Sequence, residues 1–402
     1  MKDGYLIDSP APGKYLSADS SSSLPAEKFY LPDDLPPSIE LSDGVIEAHG
    51  RAMHSLGRLD GFWSEIDDPD TAFGLFVYKE AEQSSQVEGT EVTVSDMLQQ
   101  GEDSKDVREA RNYASALRRA TKQLTQAGRS RQNLSLDLIT SLHESLMEDG
   151  RSDDEDPRPG QFRSEYVWIE EGNDSGYGTS VRFVPPKANT ARSKMADFEA
   201  YMQSAGAYPD LIDIGLLHYQ LETVHPFIDG NGRVGRLLIV LLLIASDILS
   251  RPLFYLSSYI RRNRDEYTDL LLAVNEEGDW NAWLEFFLEG ISAQADEAFG
   301  RAKLLLALRT DYRERYGDTS PSVQALADAT FVEPIFTVSE AADLIDMSYP
   351  AANSAVDQLE ADGLLEERTG QERYREFQAT EVLDILNRDR TEIPDPGDIL
   401  SE

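Results

Sequence analysis

The chain has 402 residues and no cysteine, which excludes disulfides and thiolate metal sites. Lysine is nearly as scarce: nine of the 37 basic residues are lysines and 28 are arginines. Positive charge as a whole is outnumbered, with 74 acidic residues giving a net charge of −37. Long hydrophobic runs are missing too. The longest, Leu237 to Ala245, falls far short of the ~20 residues a membrane-spanning helix needs. The start, Met1-Lys-Asp-Gly-Tyr, has no hydrophobic signal core. These absences predict an intracellular, cytoplasmic protein with no membrane partner. A lysine-poor acidic surface suits a salt-rich cytosol, where mobile ions screen self-repulsion, and so predicts a halophilic source.

What is present suffices for two or three domains. Residues 1–40, rich in Ser, Pro and Asp (Ser20 to Ser23, Pro32, Pro36, Pro37), read as an extended arm with little structure of its own. Over 41–130 the pattern is helical. Ile46, Met53, Leu56 and Leu59 suit one buried face, a second helix covers about 73–87, and a third about 104–126. From 131 to 316 the spacing predicts helices at about 135–148, capped by Ser135, then 190–205, 209–224, 231–248, 261–277 and 279–315. A charged loop, Gly150 to Gly160, precedes the β signal Tyr166-Val-Trp-Ile169 and Ser180-Val-Arg-Phe-Val184, a hairpin within about 160–186. Residues 318–387 read as helix, turn, helix, then strand, turn, strand, the pattern of a winged helix, and 388–402 as a Pro- and Asp-rich tail.

Chemistry concentrates in Thr223-Val-His-Pro-Phe-Ile-Asp-Gly-Asn-Gly-Arg-Val-Gly-Arg236. The residue before proline is driven out of helical geometry, which puts the break at His225-Pro226 and His225 on a loop at a helix end. Gly230-Asn-Gly232 tolerates unusual φ, so successive backbone N–H groups can converge on an anion, and the helix that follows adds its positive end. Arg233 and Arg236 share a helical face and can grip different phosphates. Asp229, the one carboxylate of the loop, is a natural Mg²⁺ ligand beside a polyphosphate. His225 can accept a proton at neutral pH. A single histidine is usually structural, a Gly-Asn-Gly a turn, and two arginines a solvated face; their concentration in fourteen residues points to in-line attack on a phosphate.

The run His225-Pro-Phe-Ile-Asp-Gly-Asn-Gly-Arg-Val-Gly-Arg236 resembles the signature of Fic-domain proteins, His-Pro-Phe-x-(Asp/Glu)-Gly-Asn-Gly-Arg-x-x-Arg, at every fixed position. The resemblance implies a mainly α-helical Fic core at 131–316 with a β-hairpin flap, plus a small C-terminal winged-helix domain. It also implies a protein adenylyltransferase that moves AMP from ATP, with Mg²⁺, to a Ser, Thr or Tyr hydroxyl. His225 would be the general base and Asp229 the metal ligand, with Gly230, Asn231 and Gly232 as the anion hole. Arg233, Val234, Gly235 and Arg236 would complete the nucleotide contacts. Gly160-Gln-Phe-Arg163, Val167, Trp168, Ile169, Glu170 and Phe183-Val-Pro-Pro186 are similar to the flap on which a target segment adds as a strand. Tyr267 and Asn275 fall where some members contact adenosine. Ser84-Ser-Gln-Val-Glu88-Gly89 matches the inhibitory motif (Ser/Thr)-x-x-x-Glu-(Gly/Asn), so Glu88 is expected to pair bidentately with Arg236 and exclude the terminal phosphate. Self-modification and removal of AMP follow as expected side activities.

The C-terminal unit carries little positive charge: 318–402 has 20 acidic and five basic residues, and 348–363 has no Lys or Arg. Phosphate neutralisation dominates non-specific DNA affinity, so the unit is expected to contact protein, in a target or a homodimer, rather than nucleic acid. Arg368, Arg373 and Arg375 are its best phosphate candidates. Two rival readings stand beside the main one: a Fic-type transferase with another nucleotide or phosphate-containing donor, and a nucleotide-sensing transcription regulator.

Overall fold

The computed structural model describes residues 11–18, 26–64, 70–99, 104–148, 158–172, 179–204, 206–370 and 374–394. Ser20 to Ser23, most of the charged loop before Gly160, the stretch between the flap strands, Arg373 and the end of the tail lie outside the described residues. Mainly helical architecture with small sheets is what the described chain forms.

The N-terminal arm departs from expectation. Strands β1 (Gly13–Ser17) and β2 (Lys28–Pro32) pair antiparallel, with Gly13 opposite Pro32 and Ser17 opposite Lys28. Phe29 and Tyr30 are buried, and the Tyr30 N–H donates to the Val184 carbonyl at 2.8 Å, so the hairpin is fastened to the body.

Helix α1 (Asp43–Ser64) lies along the 37-residue α11 (Trp280–Tyr316). Its buried face is Val45, Ala48, Ala52, Leu56 and Leu59, at helical spacing. Ile46 and Met53, expected on that face, are instead exposed. The small side chains of Ala48 and Ala52 face the core in their place. Next come α2 (Asp70–Val87), the unforeseen short α3 (Val94–Leu98) and α4 (Lys105–Ala127), with α2 packed on α4. Helix α5 (Leu136–Leu146) starts as expected, the Ser135 side chain accepting from the Leu138 N–H.

The flap strands β3 (Ile169–Gly172) and β4 (Thr179–Phe183) pair antiparallel, with an irregularity between Ile169 and Glu170. The first strand starts later than expected, and the chain before it is bound to Arg163, whose Nη1 donates to the Glu165 carbonyl. After α6 (Ala188–Met202), helices α7 (Asp210–Val224) and α8 (Asn231–Ala245) form the centre. Both are buried around nearly their whole circumference, as a helix apolar on all sides must be. The single helix expected over 261–277 is two, α9 (Ser257–Arg262) and α10 (Arg264–Glu277). Asn263 breaks them: its backbone leaves helical geometry and its side chain donates to the Tyr259 carbonyl.

Beyond α11 come α12 (Pro321–Ala329), β5 (Ile335–Thr337), α13 (Val338–Leu344), α14 (Tyr349–Ala361), β6 (Leu365–Glu367), β7 (Glu376–Ala379) and α15 (Thr380–Asn387). The sheet order is β5-β7-β6, all antiparallel. This unit is tied to the body through Arg301 of α11. That guanidinium donates to the carbonyls of Ile385, Leu386 and Arg388 at 2.5, 2.7 and 2.6 Å, and pairs with Glu297 at 3.1 Å. Lys79 of α2 also reaches Asn387, at 3.4 Å.

Candidate active site

Helix α7 ends where the sequence places its break. His225 takes a left-handed conformation, φ 49° and ψ 63°, and its N–H still closes on the Leu221 carbonyl at 2.9 Å. That geometry is uncommon for a residue with a side chain, so the surroundings must hold it. Arg163 does. Its fully buried guanidinium donates to the carbonyls of His225 (2.7 Å), Val224 (3.3 Å), Glu165 (2.8 Å) and Pro186 (2.5 Å), and its own N–H donates to Pro226. One side chain thereby fixes the bend and both ends of the flap. The sequence marks Arg163 only as part of a flap motif.

Nδ1 of His225 lies 3.3 Å from the Glu222 carbonyl, which can only accept, so Nδ1 carries the proton and Nε2 keeps a lone pair. Burial lowers the imidazole pKa to about 4, with the Arg163 charge working in the same direction. His225 is therefore neutral at neutral pH.

From Phe227 to Asn231 the loop closes on itself: the Phe227 N–H donates to Asn231 Oδ1 at 2.9 Å and Asn231 Nδ2 donates back to the Phe227 carbonyl at 3.1 Å. The Asn231 side chain thus shapes the loop, leaving its backbone N–H to face an anion. His143 braces the same loop from α5. It accepts from the Gly160 N–H at 2.9 Å, lies 3.0 Å from the Asp229 carbonyl, and stacks on Phe227 with ring centroids 3.9 Å apart. Nothing in the sequence pattern had marked His143.

Helix α8 begins at Gly230, φ 77°, with no side chain capping it, so the first-turn N–H groups have no partner within the helix. Val234 is fully buried and serves the core. Arg233 is buried and bonded to Glu109 of α4, with Asp229 3.6 Å away. Arg236 is buried as well. Its Nε donates to Ser84 Oγ at 2.9 Å, and Nη2 donates to the Ser84 carbonyl at 3.0 Å and to Glu88 Oε1 at 2.6 Å. The expected two-oxygen grip by Glu88 is thus shared between the serine and the carboxylate. Burial works to raise the Glu88 pKa, but Arg236 outweighs it and holds the carboxyl below its ordinary range. A Cβ on Gly232 would lie 2.7 Å from Glu88 Oε1, so the carboxylate sits directly on the first turn of α8.

Beside the bend, between the flap and α10, lies a slot of about 120 Å³ with walls that include Ile169, Phe183, Leu271 and Leu272. Glu222, Thr223, Tyr267 and Asn275 also line it. Of the expected contacts at Val167 to Glu170 only Ile169 reaches this slot. Val167 and Glu170 do not line it, and Trp168 is exposed, with its ring N–H on Glu170 Oε1 at 2.9 Å.

The donor set can be tested against Mg²⁺. Among the described residues no cluster of three or more His, Asp or Glu could hold a metal by itself. Asp229 is exposed, with Oδ1 accepting the Gly230 N–H at 2.6 Å. One such carboxylate fits a Mg²⁺ that takes its remaining ligands from phosphate and water. In the C-terminal unit, Arg368 pairs with Glu376 at 3.2 Å and Arg375 with Asp357 and Glu360 at 3.6 and 3.8 Å. No helix among the described residues is long and apolar enough to cross a membrane.

Comparison with known proteins covers the same segments. Residues 46–122 match the profile of the Fic/DOC family N-terminal region, and residues 133–243 that of the Fic/DOC family. A uridine 5'-monophosphate transferase of Xanthomonas campestris pv. campestris is 32% identical over 131 residues, 31% of this chain and 23% of that protein. The protein adenylyltransferase Fic of Aedes aegypti is 30% identical over 132 residues, 32% of this chain and 23% of that protein. The chain therefore spans under a quarter of the length of either relative. The solved structure of a Fic family protein from Desulfovibrio desulfuricans G20 shares the fold, with a TM-score of 0.54 and 19% identity over 86% of this chain and 98% of that one. Both relatives are named as transferases of nucleoside monophosphates. The two matched segments, which enclose the helix carrying Ser84 and Glu88 and the 225–236 bend, belong to the Fic/DOC family.

Proposed function

We propose that this protein transfers AMP from ATP to a Ser, Thr or Tyr hydroxyl of a target protein, and that Glu88 restrains the transfer. One observation carries the reading: a neutral imidazole stands on the bend leading into the uncapped start of α8, where the Glu88 carboxylate lies on Arg236.

In this reading the nucleotide's phosphates take the place of the Glu88 carboxylate on Arg236 and the first-turn N–H groups. Arg233, steadied by Glu109, adds charge from the same face. The target hydroxyl, presented by a strand on the flap, attacks the α-phosphorus. Its oxygen forms the new O–P bond as the bond to the leaving pyrophosphate breaks, and Nε2 of His225 takes the proton. Phosphate charge beside His225 raises its pKa from about 4, so it is a stronger base in the complex than alone. When bound, Mg²⁺ on Asp229 would neutralise charge on the phosphates. With Glu88 in place, ATP can seat only in a pose unsuited to in-line attack. The same glutamate would support the reverse reaction, removal of AMP.

Incorporation of label from ATP, compared among wild type, Glu88→Gly and His225→Ala, tests this. Transfer should rise in the first variant and vanish in the second; label in His225→Ala equal to wild type would reject the mechanism. The name of the Xanthomonas relative supports a second reading, UMP transfer. Intact mass after incubation with ATP, CTP, GTP or UTP separates the two. We read residues 318–387 as a winged-helix-like unit that contacts protein, supported by the internal ion pairs of Arg368 and Arg375.

A further inference from the structure

We infer that Glu222 reads the nucleobase, accepting an N–H of an amino-bearing base while Asn275 donates to the neighbouring ring nitrogen. The inference rests on the nucleotide-transfer reading above.

The slot beside the bend is far smaller than the ~300–1,000 Å³ of sites that enclose a whole ligand, so it suits one flat ring system. Its polar groups can be sorted by what they already bind. The Tyr267 hydroxyl is on His218 Nε2 at 2.9 Å, and the Thr268 hydroxyl on the Asp265 carbonyl at 3.0 Å. Arg182 is paired with Asp269, and the Thr223 hydroxyl is bonded to Tyr219. Asn275 is half used: the Tyr219 hydroxyl donates to its Oδ1. That bond orients the amide, leaving the NH₂ group as a donor with no partner among the described residues.

Glu222 is left. Neither of its carboxyl oxygens has a hydrogen bond within the described residues, and Oε1 is buried. A Cβ at Gly235 would lie 2.6 Å from that oxygen, so the glycine at this turn of α8 is what gives the carboxyl its space. A buried carboxyl oxygen with no partner is costly unless a ligand completes it. Burial raises its pKa to about 7, and in either protonation state it offers an acceptor. Glu222, an acceptor, and Asn275, a donor, both line this apolar slot, the pair that the amino group and adjacent ring nitrogen of adenine require. His225 lies three residues further along the same chain, and the phosphate site at Gly230 to Arg236 follows it.

Equilibrium binding to the full chain in the Glu88→Gly background tests this, using ATP, 2'-deoxyATP and purine riboside triphosphate, which lacks the amino group. ATP should bind about tenfold or more tighter than the purine analogue. Adding Glu222→Ala should abolish that preference, whereas Glu222→Gln, which keeps an acceptor oxygen, should retain part of it and serves if the alanine variant does not fold. Equal binding of ATP and the purine analogue before Glu222 is changed would overturn the inference alone. So would an alanine variant that keeps the preference, or one that loses only the preference for ATP over 2'-deoxyATP, which would move Glu222 to the ribose. Absence of binding by every nucleotide would overturn the transfer reading along with it.

Discussion

Replacing Glu88 by glycine removes one charged acceptor from Arg236 while leaving both Ser84 contacts in place. A hydrogen bond to a charged group is worth about 1.5–3 kcal/mol when well buried. Glu88 is 41% exposed on its side chain, although Arg236 is only 2% exposed, so screening brings the figure to about 1–2 kcal/mol. If that energy holds the site in a state unable to seat ATP for attack, its loss shifts the balance by roughly 5–30-fold. Initial rates of label incorporation at subsaturating ATP should rise by that factor. Glu88→Gln, which keeps the shape and loses the charge, should fall between. Unfolding of the nucleotide-free variant should show a loss of no more than that about 1–2 kcal/mol, because α2 remains anchored by its buried face. Equal rates for wild type and Glu88→Gly, with both proteins active, would refute the idea that this carboxylate is a brake.

Three further outcomes follow from the geometry. The pH profile of kcat/KM for Glu88→Gly should show no acid limb near the ordinary histidine value of about 6.5. The free-enzyme imidazole has its pKa lowered to about 4, stays neutral as pH falls from 8, and takes its proton only near that lower value; a midpoint near 6.5 would contradict the burial of His225. Arg163→Lys should destabilise the fold by about 2–3 kcal/mol in urea titration, because an ammonium cannot serve carbonyls spread over the planar fork, and should lower transfer by displacing His225. Finally, with a net charge of −37, the thermal midpoint should rise between 0.1 M and multimolar KCl; a fall would argue against adaptation to salt.

The site was legible in the sequence to the extent that it is contiguous. His225, Asp229, Gly230 and the two arginines lie within twelve residues, and local rules about proline and glycine suffice to place a bend and a helix start. The reach of α2 toward Arg236 came from a short motif upstream. What escaped are partners brought from far along the chain. Glu109 is 124 residues from Arg233, His143 is 86 from Asp229, and the Glu222–Gly235 contact spans two packed helices. No periodicity encodes such pairs. The N-terminal hairpin was missed for a related reason: Phe29 and Tyr30 acquire meaning only once Val184 is beside them. On α1 the larger residues misled, because close helix packing prefers alanine at the contact and leaves Ile46 outside.

The fastening of the last helix by Arg301 bears on how the protein can be divided. A fragment ending with α11 strips that guanidinium of three carbonyl acceptors and leaves Lys79 without Asn387. Lys79 sits on the helix that carries Ser84, at whose end Glu88 emerges, so the cut would be felt along that helix. Rates measured on a trimmed catalytic piece would then describe a loosened restraint, and the intact chain is the right starting material for any study of its control.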